Sequence, residues 1–235
     1  MPLGRPVLFI DDGGVMNDNS LRAPQWAALL GPFMSERYGG DSAAWSRVNR
    51  VAFTNAWECV VTRIDTFSSH TDFHQEYCVL WSEGMFAAVG LDTPPPDECV
   101  RLVEESSVYA LRQIKSDIPG VAEAVRRLAE AGMTLHTGSG TVSAQLEVTL
   151  AGMGVRDCFG ERLYGPDLVD WPKSGPEYYR RVFEDARADP RDVLVIDDSE
   201  QACSWARAAG ARAIRVDSNS PMASLVEVSA TVLGT

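Results

Sequence analysis

Hydrophobic positions follow two different rhythms along this chain. Residues 6 to 10 (PVLFI) form a short apolar run that breaks at DDGG. Such a run, closed by a glycine turn, reads as a buried strand with its loop at the carboxyl end. From about residue 20 to 112 no strand pattern occurs. Helical stretches cover Trp26 to Tyr38, Ala43 to Ile64, Asp72 to Val89 and Asp97 to Ile114, punctuated by Gly39-Gly40 and Pro94-Pro95-Pro96. After Pro119-Gly120 the rhythm alternates. VAEAVRRLAEAG reads as an amphipathic helix, MTLHT as a strand, Val142 to Ala151 as a helix, and Arg162 to Tyr164 as a short strand. A helix over Pro176 to Ala186, the strand DVLVI, a helix over Gln201 to Ala209 and the strand AIRV follow.

Strands alternating with single helices of this length mean a parallel, doubly wound sheet. The expected fold is therefore α/β: a Rossmann-like core over residues 1–18 and 115–235, with an inserted all-helical cap over 19–114. The cap has its own aromatic supply in Trp26, Phe33, Trp45, Phe53, Trp57, Phe73, Trp81 and Phe86, enough for a small separate core.

A net charge of −12 argues against a nucleic-acid or anionic-membrane partner, since both require clustered cations. A polyanionic substrate would need local positive charge from a metal or a placed cation. Lys115 and Lys173 are the only lysines, so lysine chemistry has two candidates. The five cysteines are scattered, without a CxxC pair, and read as reduced thiols. MPLGRP leads straight into the first strand, and no apolar run reaches the roughly 18 residues of a membrane helix. These features point to a soluble, cytoplasmic protein of open oligomeric state.

In doubly wound sheets, ligands bind at the carboxyl ends of the strands. Asp11 ends the first strand, Gly138-Ser139 ends the next, Lys173 precedes a helix, and Asp197-Asp198 ends DVLVI. An acid, a hydroxyl, a lysine and an acid pair in that order resemble the haloacid dehalogenase-like hydrolase superfamily. FIDDGGVMND is similar to its first motif, EAGMTLHTGSGTVSAQLEVTLAGMGVRDCF to the second, PKSGPEYY to the third and VLVIDDSEQACSWARAAG to the fourth. A cap between the first and second motifs matches the helical-cap subgroup.

The resemblance implies Asp11 as nucleophile, Ser139 (with Thr137 as alternative) on the phosphoryl oxygens, and Lys173 as the neutralising cation. It implies Mg²⁺ held by Asp11, Asp198 and the Gly13 carbonyl, with Asp197 as a further or water-mediated partner. Hard oxygen ligands suit that ion, and a carboxylate attacking a phosphate ester needs such help against charge repulsion. The expected substrate is a small phosphorylated metabolite, hydrolysed through an aspartyl phosphate.

One position departs from the pattern. The superfamily's phosphatases usually carry a second aspartate two residues after the nucleophile, and here that residue is Gly13. General acid help is worth roughly 10²–10⁴ in rate, so its loss weighs most on poor leaving groups. A 2-haloacid dehalogenase, a phosphonatase-like hydrolase relying on Lys115, and a non-catalytic binder of phosphorylated ligands remain alternatives. Asp12 is expected to face solvent or cap the loop, with a substitute acid as the other option. His70 and His74 lie at i, i+4 and read as a polar helix face, while His136 reads as a packed core residue. The cap tryptophans read mainly as core, and Arg22, Arg37, Arg47, Arg50 and Arg63 as solvated unless one selects an anion.

Overall fold

The computed structural model describes residues 6–216 and 225–234. Residues 1–5, the expected lead-in to the first strand, lie outside them. The chain divides into two compact units, one of residues 1–19 with 116–235 and one of residues 20–115. Along the chain, β1 (Val7–Ile10) is followed by four long helices, α1 (Asn19–Tyr38), α2 (Ser42–Val61), α3 (His70–Val89) and α4 (Pro96–Leu111). Then come α5 (Val121–Glu130), β2 (Thr134–Thr137), α6 (Ser143–Gly152), α7 (Pro176–Asp185), β3 (Val193–Asp197), α8 (Glu200–Ala208), β4 (Arg212–Arg215) and α9 (Leu225–Leu233).

In the first unit the sheet runs β2-β1-β3-β4 and every pairing is parallel. Strand alternation divides its side chains between two cores. Leu8, Ile10, Leu194 and Ile196 pack with α5, α6 and α9 through Val125, Leu128, Leu146, Leu150 and Val228. Phe9, Val193 and Val195 face the other way, onto Tyr179, Val182 and Phe183 of α7 and Ala206 of α8. The result is a three-layer α/β/α sandwich. Chain order reverses around β1, so the loops after β1, β2 and β3 converge at one edge of the sheet.

One expected strand is absent, and one helix lies beyond the expected elements. Arg162 to Tyr164 forms no strand. Gly160 N–H donates to Leu135 C=O and Ser139 N–H to Tyr164 C=O, but those two bonds lie too far apart to build a ladder. The closing helix α9 was not anticipated; its apolar residues Leu225 and Val228 complete the core beneath β1 and β3.

The second unit is all helical. Leu30 and Met34 of α1, Trp45, Ala52 and Ala56 of α2, Trp81, Met85 and Phe86 of α3 and Leu102 of α4 make one apolar core. A Cβ on Gly84 would approach that of Ala52 to 3.1 Å, so small residues on both sides set a close crossing of α2 and α3. The buried indole N–H groups find acceptors, Trp45 on Gly39 C=O at 2.8 Å and Trp81 on Asn49 Oδ1 at 3.0 Å. Not every expected core aromatic is inside: Phe53 and Trp57 remain 48% and 46% exposed. They join an aromatic cluster with Phe73 and Tyr77 along the outer side of α2 and α3. Arg37 pairs with Glu105 and Arg63 with Glu76. Among the described residues, no helix is long and apolar enough to cross a membrane.

Candidate active site

The site starts at the end of β1. Asp11 N–H donates to Ile196 C=O at 2.9 Å, continuing the β1–β3 pairing by one residue and fixing where its side chain begins. The turn that follows is held from within. Met16 and Asn17 N–H both donate to Asp12 C=O at 2.9 Å, and Asn17 Nδ2 donates to Asp12 Oδ1 at 2.8 Å. Asp12 is fully buried, so it does not face solvent; it caps the turn instead. Ser116 Oγ donates to Asn17 Oδ1 at 2.9 Å, tying the returning chain to the same turn. Gly14 has φ of +75°, and a Cβ there would lie 2.2 Å from Asp198 Oδ2. Only glycine permits both that backbone and that approach.

Lys173 lies between two carboxylates. Its Nζ is 2.7 Å from Asp197 Oδ2 and 3.2 Å from Asp11 Oδ1, with side-chain exposures of 10%, 1% and 11% for the lysine, Asp197 and Asp11. Asp197 is engaged on both oxygens. Oδ1 accepts from Ser199 N–H at 2.9 Å, and Oδ2 accepts from Lys173 and from the Tyr179 hydroxyl at 3.3 Å. The Ser139 hydroxyl accepts from Thr141 N–H at 3.2 Å and lies close enough to the Asp11 carboxylate to favour its charged form. The Thr137 hydroxyl donates to Tyr164 C=O at 3.2 Å, so of the two hydroxyls Ser139 is the one beside Asp11 and Thr137 is engaged by the scaffold. Tyr178 OH donates to Ser139 C=O at 2.8 Å. Consecutive tyrosines at the start of α7 therefore hold the Ser139 loop and Asp197.

Burial raises the Asp11 carboxyl to about 6, against the lowering pull of Lys173 and Ser139 and with further raising from Asp197 and Asp12. Burial and the neighbouring Asp197 also raise Asp198. Burial alone would lower Lys173, but Asp11 and Asp197 outweigh it and hold the ammonium charged. An excess of negative charge over one lysine describes a site that gains from a further cation.

Asp11, Asp197 and Asp198 each offer a carboxylate oxygen, and these lie within 4.8 Å of one another. Three hard oxygens fit Mg²⁺ chemically. The bonds that close the 12–17 turn use the Asp12 and Asn17 carbonyls and leave that of Gly13 out of their pattern. Asp197 already holds Lys173, Tyr179 and Ser199, which leaves Asp11 and Asp198 with more carboxylate capacity to offer an ion.

Asp11, Ser139, Lys173, Asp197 and Asp198 thus come together, with Gly13 in the adjoining turn. The hydroxyls of Tyr178 and Tyr179 carry no sequence signal beyond their place after Lys173. His70 is buried rather than on a polar face, its ring stacked on His74 at 5.5 Å, while His136 stacks on Phe9 at 5.0 Å as a core residue would.

Residues 46–210 match the family model of haloacid dehalogenase-like hydrolases. A bifunctional riboflavin kinase/FMN phosphatase of Arabidopsis thaliana is 31% identical over 107 residues, covering 45% of this chain and only 28% of that protein. Among solved structures, the defluorinating L-2-haloacid dehalogenase Rha0230 aligns over 97% of this chain and 95% of its own, with TM-score 0.66 and 13% identity. The putative HAD-hydrolase YfnB from Bacillus subtilis, bound to magnesium, aligns over 91% and 89%, with TM-score 0.62 and 14% identity. At those identities the structural likeness shows the fold.

Proposed function

The chain belongs to the haloacid dehalogenase-like hydrolase family, and from that premise we propose that it is a Mg²⁺-dependent phosphatase acting on a small phosphorylated metabolite through Asp11. The observation that carries this reading is the convergence of three carboxylates at the ends of β1 and β3, two of them paired with one buried lysine. In a chain of net charge −12, Lys173 and a bound cation are the local positive charge that a phosphate dianion requires. Mg²⁺ held by Asp11, Asp198 and the Gly13 carbonyl, with Asp197 beside them, would supply charge neutralisation between nucleophile and phosphate.

Asp11 attacks phosphorus, forming an O–P bond as the ester P–O bond breaks and its electron pair leaves with the departing oxygen. Lys173 offsets charge on Asp11 and the phosphoryl oxygens, and the Ser139 hydroxyl donates to one of those oxygens. Water then attacks phosphorus, releasing inorganic phosphate and the free Asp11 carboxylate, with its proton passing to phosphate or solvent. Asp197 holds Lys173 in place throughout. With glycine at position 13, acidic leaving groups are favoured. Relatedness to a protein named as an FMN phosphatase supports a phosphate ester over a haloacid. The five free cysteines support a reducing compartment such as the cytoplasm.

The test is turnover of aryl and acyl phosphates with and without Mg²⁺. Activity that chelation abolishes and Asp11→Asn removes is expected. A dehalogenase reading draws on the same missing acid, because halide departs without a proton. Halide release from a 2-haloacid that survives EDTA, with no phosphate hydrolysed, would replace the phosphatase.

A further inference from the structure

We propose that the side-chain amide of Asn19 stands in for the absent second acid and hydrogen-bonds the leaving-group oxygen, a step that rests on the phosphatase reading above. A Cβ built on Gly13 would lie 2.9 Å from Asn19 Oδ1 and 3.0 Å from Nδ2. The carboxamide therefore occupies the space into which a side chain at position 13 would project. Gly13 lies two residues after Asp11 in the same turn, and its neighbour Gly14 abuts the Asp198 carboxylate. Its backbone is anchored on the preceding side: Asp18 N–H donates to Ser116 C=O at 2.7 Å, and Asn17 is held to Asp12. Asn19 itself is exposed, so its amide is open to a ligand.

The chemistry differs from that of an acid in one respect. An amide N–H donates a hydrogen bond to the oxygen as negative charge develops, but it has no proton to release at neutral pH. The ester P–O bond breaks, the oxygen leaves with the electron pair and its charge, and it takes a proton from water after departure. A site of this kind handles leaving groups that are stable as anions. The substrate class is accordingly an aryl, enol or acyl phosphate rather than a simple alkyl ester. A side chain larger than glycine at position 13 would push the Asn19 carboxamide out of its present place.

The experiment compares wild type, Asn19→Ala and Asn19→Asp over a series of aryl phosphates of rising leaving-group pKa, extended to one alkyl phosphate. Melting temperatures are measured alongside; aspartate in the first turn of a helix is well tolerated. Asn19→Ala should lose roughly ten- to a hundredfold on the poorest leaving groups, little on the best, and so steepen the dependence on leaving-group pKa. Asn19→Asp should flatten it by supplying a transferable proton. Parallel lines for wild type and Asn19→Ala overturn the role of Asn19 while leaving the phosphatase intact. No turnover of any phosphate by wild type removes the phosphatase reading, and this inference with it.

Discussion

The two units of this protein both bury apolar cores but differ in the charge that they bury. In the helical unit, no Asp, Glu, Lys or Arg among the described residues is buried. Trp45, Met85, Phe86 and Leu102 are enclosed with a few polar residues such as Asn49 and Ser82, and the Arg–Glu pairs lie at the surface. In the α/β unit, the loops at the carboxyl edge of the sheet bury Asp11, Asp12 and Asp197 and enclose the Lys173 ammonium. Burying charge is unfavourable unless it is paired and hydrogen-bonded. The helical unit shows the economical arrangement; the sheet edge shows where the fold gives up stability for preorganised charge. That contrast supports, independently of any motif, the proposed placing of the chemistry at the sheet edge.

Substitutions in the two units should therefore fail in different ways. The largest effect is expected from Asp11→Asn, which removes the proposed nucleophile and should lower kcat by on the order of 10⁴-fold or more. Steady-state rates on an activated aryl phosphate measure it. Lys173→Met should lower kcat by roughly 10²–10³-fold. It also leaves Asp197 buried beside an uncharged neighbour, so denaturant unfolding should show a loss of about 3–5 kcal/mol. In the helical unit, Phe86→Ala should destabilise by a comparable 3–5 kcal/mol or so through its cavity. There the slope of rate against leaving-group pKa should be unchanged; a change in it would break the division between the units.

A smaller effect sharpens the cost of the buried acid. Asp11 titrates at about 6 in the folded protein, above its ordinary 3.8. The folded state thus holds this proton more tightly than the unfolded chain, so the associated stability is fully present below pH 3.8 and is lost as pH rises through about 6. Without metal, Asp11→Asn should be more stable than wild type above pH 6 by about 1–3 kcal/mol, and the gap should close toward pH 4. Unfolding curves across that range measure it. Smallest of all, Trp57→Ala removes a half-exposed ring at the helical unit's surface and should change stability by no more than about 1 kcal/mol.

How far the sequence reveals this arrangement depends on the range of each interaction. Asp11, Ser139 and the Asp197-Asp198 pair sit at the ends of short apolar runs, and Lys173 is one of two lysines, so local pattern singled them out. What escaped depends on tertiary contact. Arg162 to Tyr164 has strand-like composition, but its carbonyls meet the loop after β2 instead of a neighbouring ladder. Asp12 looks like any loop acid until Asn17 folds back on it. Tyr178 and Tyr179 are ordinary helix residues in sequence, and only the sheet edge gives their hydroxyls acceptors. Asn19 lies eight positions from Asp11 and meets Gly13 only because the intervening turn closes on itself.

The claim on which everything else depends is that Asp11 becomes phosphorylated. Rapid acid quench during turnover of an acyl or aryl phosphate, followed by peptide mass spectrometry, tests it directly. A phosphoryl group on Asp11 that requires Mg²⁺ and is absent from Asp11→Asn is the expected result. Steady phosphate release with no adduct on Asp11, and with Asp11→Asn still active, would contradict the account.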